Sequence, residues 1–170
     1  TFRVCLWEAS VTDQLTDGEK QILLRLAREA MEHAVRGKIF PPLDVESLTP
    51  RLRENGAAFV TLTIHGDLRG CIGAVEAYQP LVDDVREHAA AAALEDPRFR
   101  PVTENELSRI KLEVSRLTVP HPLEYSSGEE LPAKLRPHVD GVILKDEFRR
   151  ATFLPQVWEQ IPDPEDFLDH

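Results

Sequence analysis

The chain is poor in several things, and each shortage excludes a class. Two cysteines in 170 residues, Cys5 and Cys71, stand 66 positions apart with no CxxC and no Cys/His cluster. That is too sparse for a secreted disulfide scaffold and is not a zinc signature. No apolar run approaches the roughly 18 residues that a membrane span requires. Positive charge is in deficit: 20 Lys and Arg stand against 30 Asp and Glu, a formal charge of −10. A binder of nucleic acid neutralises phosphates with cations, and docking on an anionic membrane needs the same, so neither partner is expected. No GxGxxG, P-loop, GxSxG or HExxH motif occurs, which leaves nucleotide, hydrolase-elbow and zincin chemistry without support. No cofactor and no metal site is expected. Thr1–Ser10 lacks a basic stretch followed by an apolar one, so no signal peptide is read there and a reducing cytoplasm is the default.

What is present is ordinary globular material. An apolar fraction of 42% and a charged fraction of 29% suit one domain with a real core. Thr16 and Glu19 have capping-box spacing. Ile22, Leu23, Leu26, Ala27, Ala30, Met31, Ala34 and Val35 then recur at helical intervals up to Gly37. A helical turn is read after Pro50, strands on both sides of His65-Gly66-Asp67, and a helix from Pro80 to Glu95. Thr103 and Glu106 form a second capping-box pair, and Ile110 to Leu117 alternates like a strand. Val142–Leu144 and Ala151–Leu154 read as two strands, and Phe167-Leu168 as the opening of a last helix. The mixture predicts an α+β fold, a mixed or antiparallel sheet with flanking helices, rather than regular βαβ units.

The segment Ala58 to Gly73 carries the most information. A hairpin register must bring apolar residues together, because a slip of one residue turns a strand over. A three-residue turn, His65-Gly66-Asp67, pairs Ile64 with Leu68, Leu62 with Gly70 and Val60 with Ile72. The opposite face then sets Thr63 across from Arg69 and Thr61 across from Cys71. Gly66 would supply the positive φ of such a turn, although the usual position for it is the third loop residue. A guanidinium and a thiol then share one face, roughly 7 Å apart at Cβ. A nearby cation favours the thiolate, the reactive form. Gly70 and Gly73 leave room for a backbone or a ligand. The plainer reading makes Cys71 a small buried hydrophobe, Arg69 a surface charge and the glycines bulge residues. On the Ile110–Leu117 strand, Glu113 and Ser115 share a face, and Glu113 meets Arg69 if the strands are neighbours. Asp96 and Arg98 read as an internal ion pair closing the helix before them, or as ligand-binding groups.

Leu68-Arg69-Gly70-Cys71-Ile72-Gly73, read LRGCIG, resembles the signature of the AMMECR-type domain family, also called AmmeMemoRadiSam system protein A. Further blocks follow in order. Gly56–Leu62 resembles the family's GAFVTL lead-in with one extra alanine-like step. Asp96-Pro97-Arg98-Phe99 resembles its DPRF element, and Glu113-Val114-Ser115 its EVS strand. Gly141-Val142 and Phe153–Val157 resemble its GV and FLPQV blocks, and Phe167-Leu168 the start of its last helix. The likeness spans about Thr16 to Leu168. It implies one domain over 12–170, two lobes sharing one core with a cleft between them, the LRGCIG strand near that cleft, and 1–11 as an N-terminal extension without a family block. Members usually continue into a basic, glycine-ended tail, so the stop at His170 implies a truncated or altered end.

The resemblance implies a Memo-like protein and a radical S-adenosylmethionine (radical SAM) enzyme as partners. The expected function is therefore an accessory protein that holds a partner, peptide or small substrate in the cleft. The binding residues expected are Thr61, Thr63, Gly70, Gly73, Arg98, Glu113 and Ser115. The alternative is an enzyme with Cys71 as nucleophile and Arg69 stabilising the thiolate or binding an anion.

Overall fold

The computed structural model describes residues 3–7, 15–118, 121–137, 139–146, 150–153, 158 and 161–169. In chain order its elements are β1 (Arg3–Trp7), α1 (Asp17–Val35), α2 (Pro50–Arg53), β2 (Asn55–Ile64), β3 (Asp67–Gly73), β4 (Gln79–Pro80) and α3 (Leu81–Leu94). A 3-10 helix (Glu104–Arg109) leads into β5 (Ile110–Leu117), followed by β6 (His121–Pro122), α4 (Leu131–Lys134), β7 (Gly141–Lys145), β8 (Arg150–Phe153) and α5 (Pro164–Asp169). The chain divides into two compact units, Leu15–Leu117 and Thr1–Gln14 with Thr118–His170. Antiparallel sheets with flanking helices make the fold α+β.

In the larger unit, α1 starts where the capping box predicts. Thr16 N–H donates to Glu19 Oε2 at 2.8 Å, and Glu19 N–H donates to Thr16 Oγ1 at 3.2 Å. Thr16 Oγ1 also donates to Glu19 Oε2 at 3.0 Å, and Thr49 Oγ1 adds a third donor to the carboxylate at 2.6 Å, tying the cap to the start of α2. The helix stops at Gly37, whose φ of 63° is open to glycine. In the sheet, β2 lies between β3 and β5. Ala58, Val60 and Leu62 of β2 are fully buried, with Leu23, Leu26, Ala27 and Ala30 of α1 and Val85, Ala89 and Ala92 of α3 in the same core. The alanines of α3 let it approach closely. A Cβ built on Gly70 would lie 2.1 Å from the Ala92 carbonyl oxygen.

The hairpin register holds for most of its length and then shifts. Val60 faces Ile72, Thr61 faces Cys71 and Leu62 faces Gly70, as the pairing of apolar residues requires. The turn, however, is two residues long. His65 and Gly66 both take positive φ, 54° and 92°, the type I′ geometry that follows the twist of the strands. A bulge between Leu62 and Thr63 absorbs the difference: Thr63 faces Leu68, Ile64 faces Asp67, and Arg69 is left unpaired. The expected pairs Ile64–Leu68 and Thr63–Arg69 are therefore not formed.

The smaller unit is a four-stranded sheet in the order β6-β1-β7-β8. Val4, Leu135, Val142 and Trp158 form its core. Trp158 Nε1–H donates to the Asp140 carbonyl at 2.7 Å, and the buried Asp140 carboxylate takes three donors from Arg136. Arg3–Trp7, expected as an extension, is an inner strand of this sheet, pairing β7 from Arg3↔Lys145 to Trp7↔Gly141. Buried apolar residues among those described form two clusters, one in each unit. Residues 154–157, the rest of the FLPQV block, lie outside the described residues.

Asp84 of α3 is completely buried and accepts from Ala58 N–H at 2.9 Å. His88 Nδ1 stands 3.2 Å from the same carboxylate, a charge contact rather than a well-aligned hydrogen bond. Burial of the ring opposes its charge, but Asp84 and then Glu87 outweigh this and raise its pKa above the ordinary 6.5. A raised folded pKa gives stability that is complete below the unfolded value and lost as pH rises through the folded one. His88→Gln is expected to flatten that loss, measured by urea unfolding from about pH 5 to 9; an unchanged slope would contradict the pairing. Gly70→Ala is expected to cost at least about 1–3 kcal/mol through overpacking against α3. Equal denaturation midpoints for wild type and variant would refute the close approach.

Candidate functional site

The sheet of the larger unit has two different faces. One is the core face described above. Across the other, alternation sets three rows of side chains. Cys71, Thr61 and Glu113 form the middle row, Gly73, Phe59 and Ser115 one neighbour, and Leu68, Thr63 and Lys111 the other. Cys71, Thr61, Thr63 and Ser115 are half-buried and Glu113 is exposed. Thr61 Oγ1 lies 3.3 Å from Cys71 Sγ, and Ser115 Oγ donates to Glu113 Oε1 at 3.3 Å. Five of the expected site residues, Cys71, Thr61, Thr63, Glu113 and Ser115, thus share one surface.

Cys71 is positioned by its backbone. It lies on β3, which pairs only with β2 among the described residues, so its own N–H and C=O point away from the sheet. Asp96 and Arg98 take both groups. Cys71 N–H donates to Asp96 Oδ2 at 2.8 Å, and Arg98 Nη2 donates to the Cys71 carbonyl at 3.2 Å. Arg98 also binds Asp96 through Nε at 2.9 Å and Nη2 at 2.7 Å. The Asp96-Pro97-Arg98 turn therefore acts as a missing strand, joined by charge-assisted bonds. Asp96 is 4% exposed. The Arg98 side-chain bond, then the Cys71 and Arg98 N–H groups, hold its carboxyl far below the usual range despite burial. Arg98 is raised above its ordinary value by its bond to Asp96, against partial desolvation, and Cys71 beside it contributes. Its side chain remains 54% exposed.

Arg69 does not join this surface. Its guanidinium is occupied: Nε and Nη2 donate to the two oxygens of Glu106 at 2.8 and 3.2 Å, and Nη1 donates to the Arg100 carbonyl at 2.9 Å. The expected Glu113–Arg69 contact is not formed, because β2 separates β5 from β3 and Glu113 faces Thr61. Gly70 and Gly73 do not open toward a ligand. The space above Gly70 holds the Ala92 carbonyl, and that above Gly73 holds the Ala58 carbonyl and Phe59, each under 3.0 Å from a built Cβ. The cation that stands with Cys71 is Arg98, expected among the binding residues rather than beside the sulfur. Glu106 was legible only as a capping residue. It does cap, accepting from Thr103 N–H at 2.8 Å, and the same carboxylate binds Arg69.

These strands and clamps lie within the stretch that a family model matches. The AMMECR1 family model matches residues 24–170. The chain belongs to the AMMECR1 family. It is 41% identical over 170 residues to a protein of Thermofilum pendens, covering 92% of this chain and 78% of that one. It is 42% identical over 155 residues to a protein of Methanothermobacter thermautotrophicus, covering 91% and 80%. Among solved structures, an uncharacterised protein of Pyrococcus horikoshii superposes with a TM-score of 0.78 at 36% identity, covering 91% of this chain and 78% of that chain. No helix among the described residues is long and apolar enough to cross a membrane.

The Glu106 carboxyl is pushed down to about 2, first by Arg69 and then by the Thr103 N–H. A depressed folded pKa gives stability that is present above the unfolded value and lost as pH falls through the folded one. The AMMECR1 domain is therefore expected to lose on the order of 1–3 kcal/mol at this pair between about pH 5 and 2. Glu106→Gln should lower stability at pH 7 and remove that part of the acid slope. Parallel stability–pH curves for the two proteins would contradict the pairing.

Proposed function

We propose that this AMMECR1-family chain is a binding protein that holds a partner, peptide or small substrate on the outer face of β3, β2 and β5. Cys71, Thr61, Thr63, Glu113 and Ser115 make the surface, and Arg98 is its anion-binding group. The observation that carries the reading is the double backbone clamp on Cys71. It fixes the residue's position while leaving the Arg98 side chain half in solvent, the preorganisation that binding rewards. The groups beside the sulfur point the same way. A hydroxyl and a guanidinium can orient or hold a ligand, but neither can act as the proton acceptor that a thiol nucleophile ordinarily uses.

By its resemblance to AmmeMemoRadiSam system protein A, the partners proposed are a Memo-like protein and a radical SAM enzyme. The purified chain is expected to retain one of them from native extract. Glu113→Arg and Thr63→Arg should each lower the recovery at least tenfold with little change in melting temperature, since both side chains lie off the core. Recovery of neither partner by the wild type, or undiminished recovery by both variants, would remove this reading.

The guanidinium beside Cys71 favours a second reading, in which Arg98 rather than Arg69 stabilises a reactive thiolate. Iodoacetamide labelling across pH separates the two. If Cys71 is a nucleophile, it labels in the folded protein and Arg98→Ala slows the reaction at neutral pH. If the binding reading holds, labelling is slow and nearly indifferent to Arg98.

A further inference from the structure

The strand β5 is complementary to a second copy of itself. Its residues alternate between two faces: Lys111 and Glu113 lie on the outer face, and Ile110, Leu112 and Val114 on the core face. The pairing also fixes which backbone groups point outward. Ala58 directs its carbonyl to Ala74 N–H and its N–H to Asp84, away from β5. Alternation then turns Thr61 and Thr63 toward β5, where they face Glu113 and Lys111. The N–H and C=O groups of Leu112 and Val114 therefore point outward, and among the described residues nothing bonds them. Lys111 and Glu113 are both exposed. Glu113 accepts from the Ser115 hydroxyl, and neither residue makes an ion pair among the described residues.

Two copies of β5 related by a two-fold axis normal to the sheet run antiparallel with like faces together. Each residue then meets one an even number of positions away, and the outward groups of Leu112 and Val114 fall in hydrogen-bonded pairs. Three registers centre the strand, and charge separates them. Centred on Glu113, the two carboxylates oppose each other directly, which is destabilising. Centred on Val114, Glu113 meets Ser115 and Lys111 meets Leu117, so neither charge is matched. Centred on Leu112, Lys111 meets the second copy's Glu113, and Glu113 meets the second copy's Lys111. Both are non-hydrogen-bonded pairs, the kind in which side chains come closest, with Cβ atoms about 5 Å apart. The same register exchanges backbone bonds between the two Leu112 residues and between Ile110 and Val114. The Ile110 carbonyl already accepts from Arg28 Nη2 at 2.7 Å and keeps a second lone pair. The net charge of −10 repels two copies at long range, where salt screens it, whereas the strand pairs act at contact.

We propose that the chain forms a two-fold dimer by antiparallel pairing of β5 with β5 of a second copy, centred on Leu112 and locked by two Lys111–Glu113 ion pairs. The inference stands apart from the binding reading of the Cys71 face, because its test needs the purified chain alone. Molecular mass is followed by light scattering and sedimentation across a dilution series. The wild type is expected to pass from monomer to dimer as concentration rises. Lys111→Glu sets two acids opposite each other twice, and Glu113→Lys sets two lysines opposite each other twice. Each should weaken dimerisation at least about tenfold, and both changes lie on an exposed face, away from the core. An equal mixture of the two variants should dimerise again, because each then supplies what the other lacks. In wild type, the amides of Leu112 and Val114 should gain protection from hydrogen exchange as the dimer forms. The proposal is overturned by a wild type that stays monomeric, by single variants that dimerise as well as wild type, or by a mixture that stays monomeric. Protection that appears on dimerisation at other strands and not at Leu112 and Val114 also overturns it.

Discussion

Three charged side chains from the stretch between α3 and β5 hold the outer edge of β3, and the arrangement of the larger unit depends on that grip. Asp96 and Arg98 satisfy the outward N–H and C=O of Cys71, and Glu106 receives the guanidinium of Arg69 two residues earlier. An edge strand normally meets water or another strand. Here a tight turn stands in for the strand, and its bonds are of the stronger, charge-assisted kind. The grip works in concert with the close approach on the other side of the same strand, where Gly70 lies against the last turn of α3. The position of β3 is thus fixed from its edge and from its core face. The outer face is left to carry chemistry.

Short-range signals in the sequence were legible. The capping box at Thr16 and Glu19, the stop at Gly37, and the alternation of Ile110–Leu117 each report a local bond or burial pattern, and each appears in the structure. The hairpin register was legible for Val60 to Leu62 because only one pairing puts the apolar residues together. Its turn was not. A two-residue turn needs positive φ at His65, which a histidine adopts seldom, and the compensating bulge at Arg69 leaves no mark in the hydrophobic pattern. β1 escaped notice because its partners, β6 and β7, are more than 100 residues away in the chain. Its Val-Cys-Leu-Trp run was the one local hint.

The site was half legible for the same reason. The hairpin register correctly grouped Cys71 with Thr61, and alternation within one strand grouped Glu113 with Ser115. Which cation would stand with Cys71 is a long-range question, and strand spacing answered it wrongly. Arg69 is nearer in sequence, yet the bulge and Glu106 take it elsewhere, and Arg98 arrives from a turn 27 residues on. The two roles exchange cleanly. One arginine secures the strand, and the other leaves half its surface open beside the sulfur. The chain belongs to the AMMECR1 family, and the outer face is where binding chemistry is proposed to reside.

Hydrogen exchange at the Cys71 amide tests the grip most directly, because that N–H belongs to an edge strand and its acceptor is a side chain rather than another strand. The account predicts that in the native protein this amide exchanges as slowly as those of Gly70 and Ile72, which point inward to β2, and that Asp96→Ala releases it while leaving its two neighbours protected. A Cys71 amide that exchanges at the rate of a free edge in the wild-type protein would contradict it.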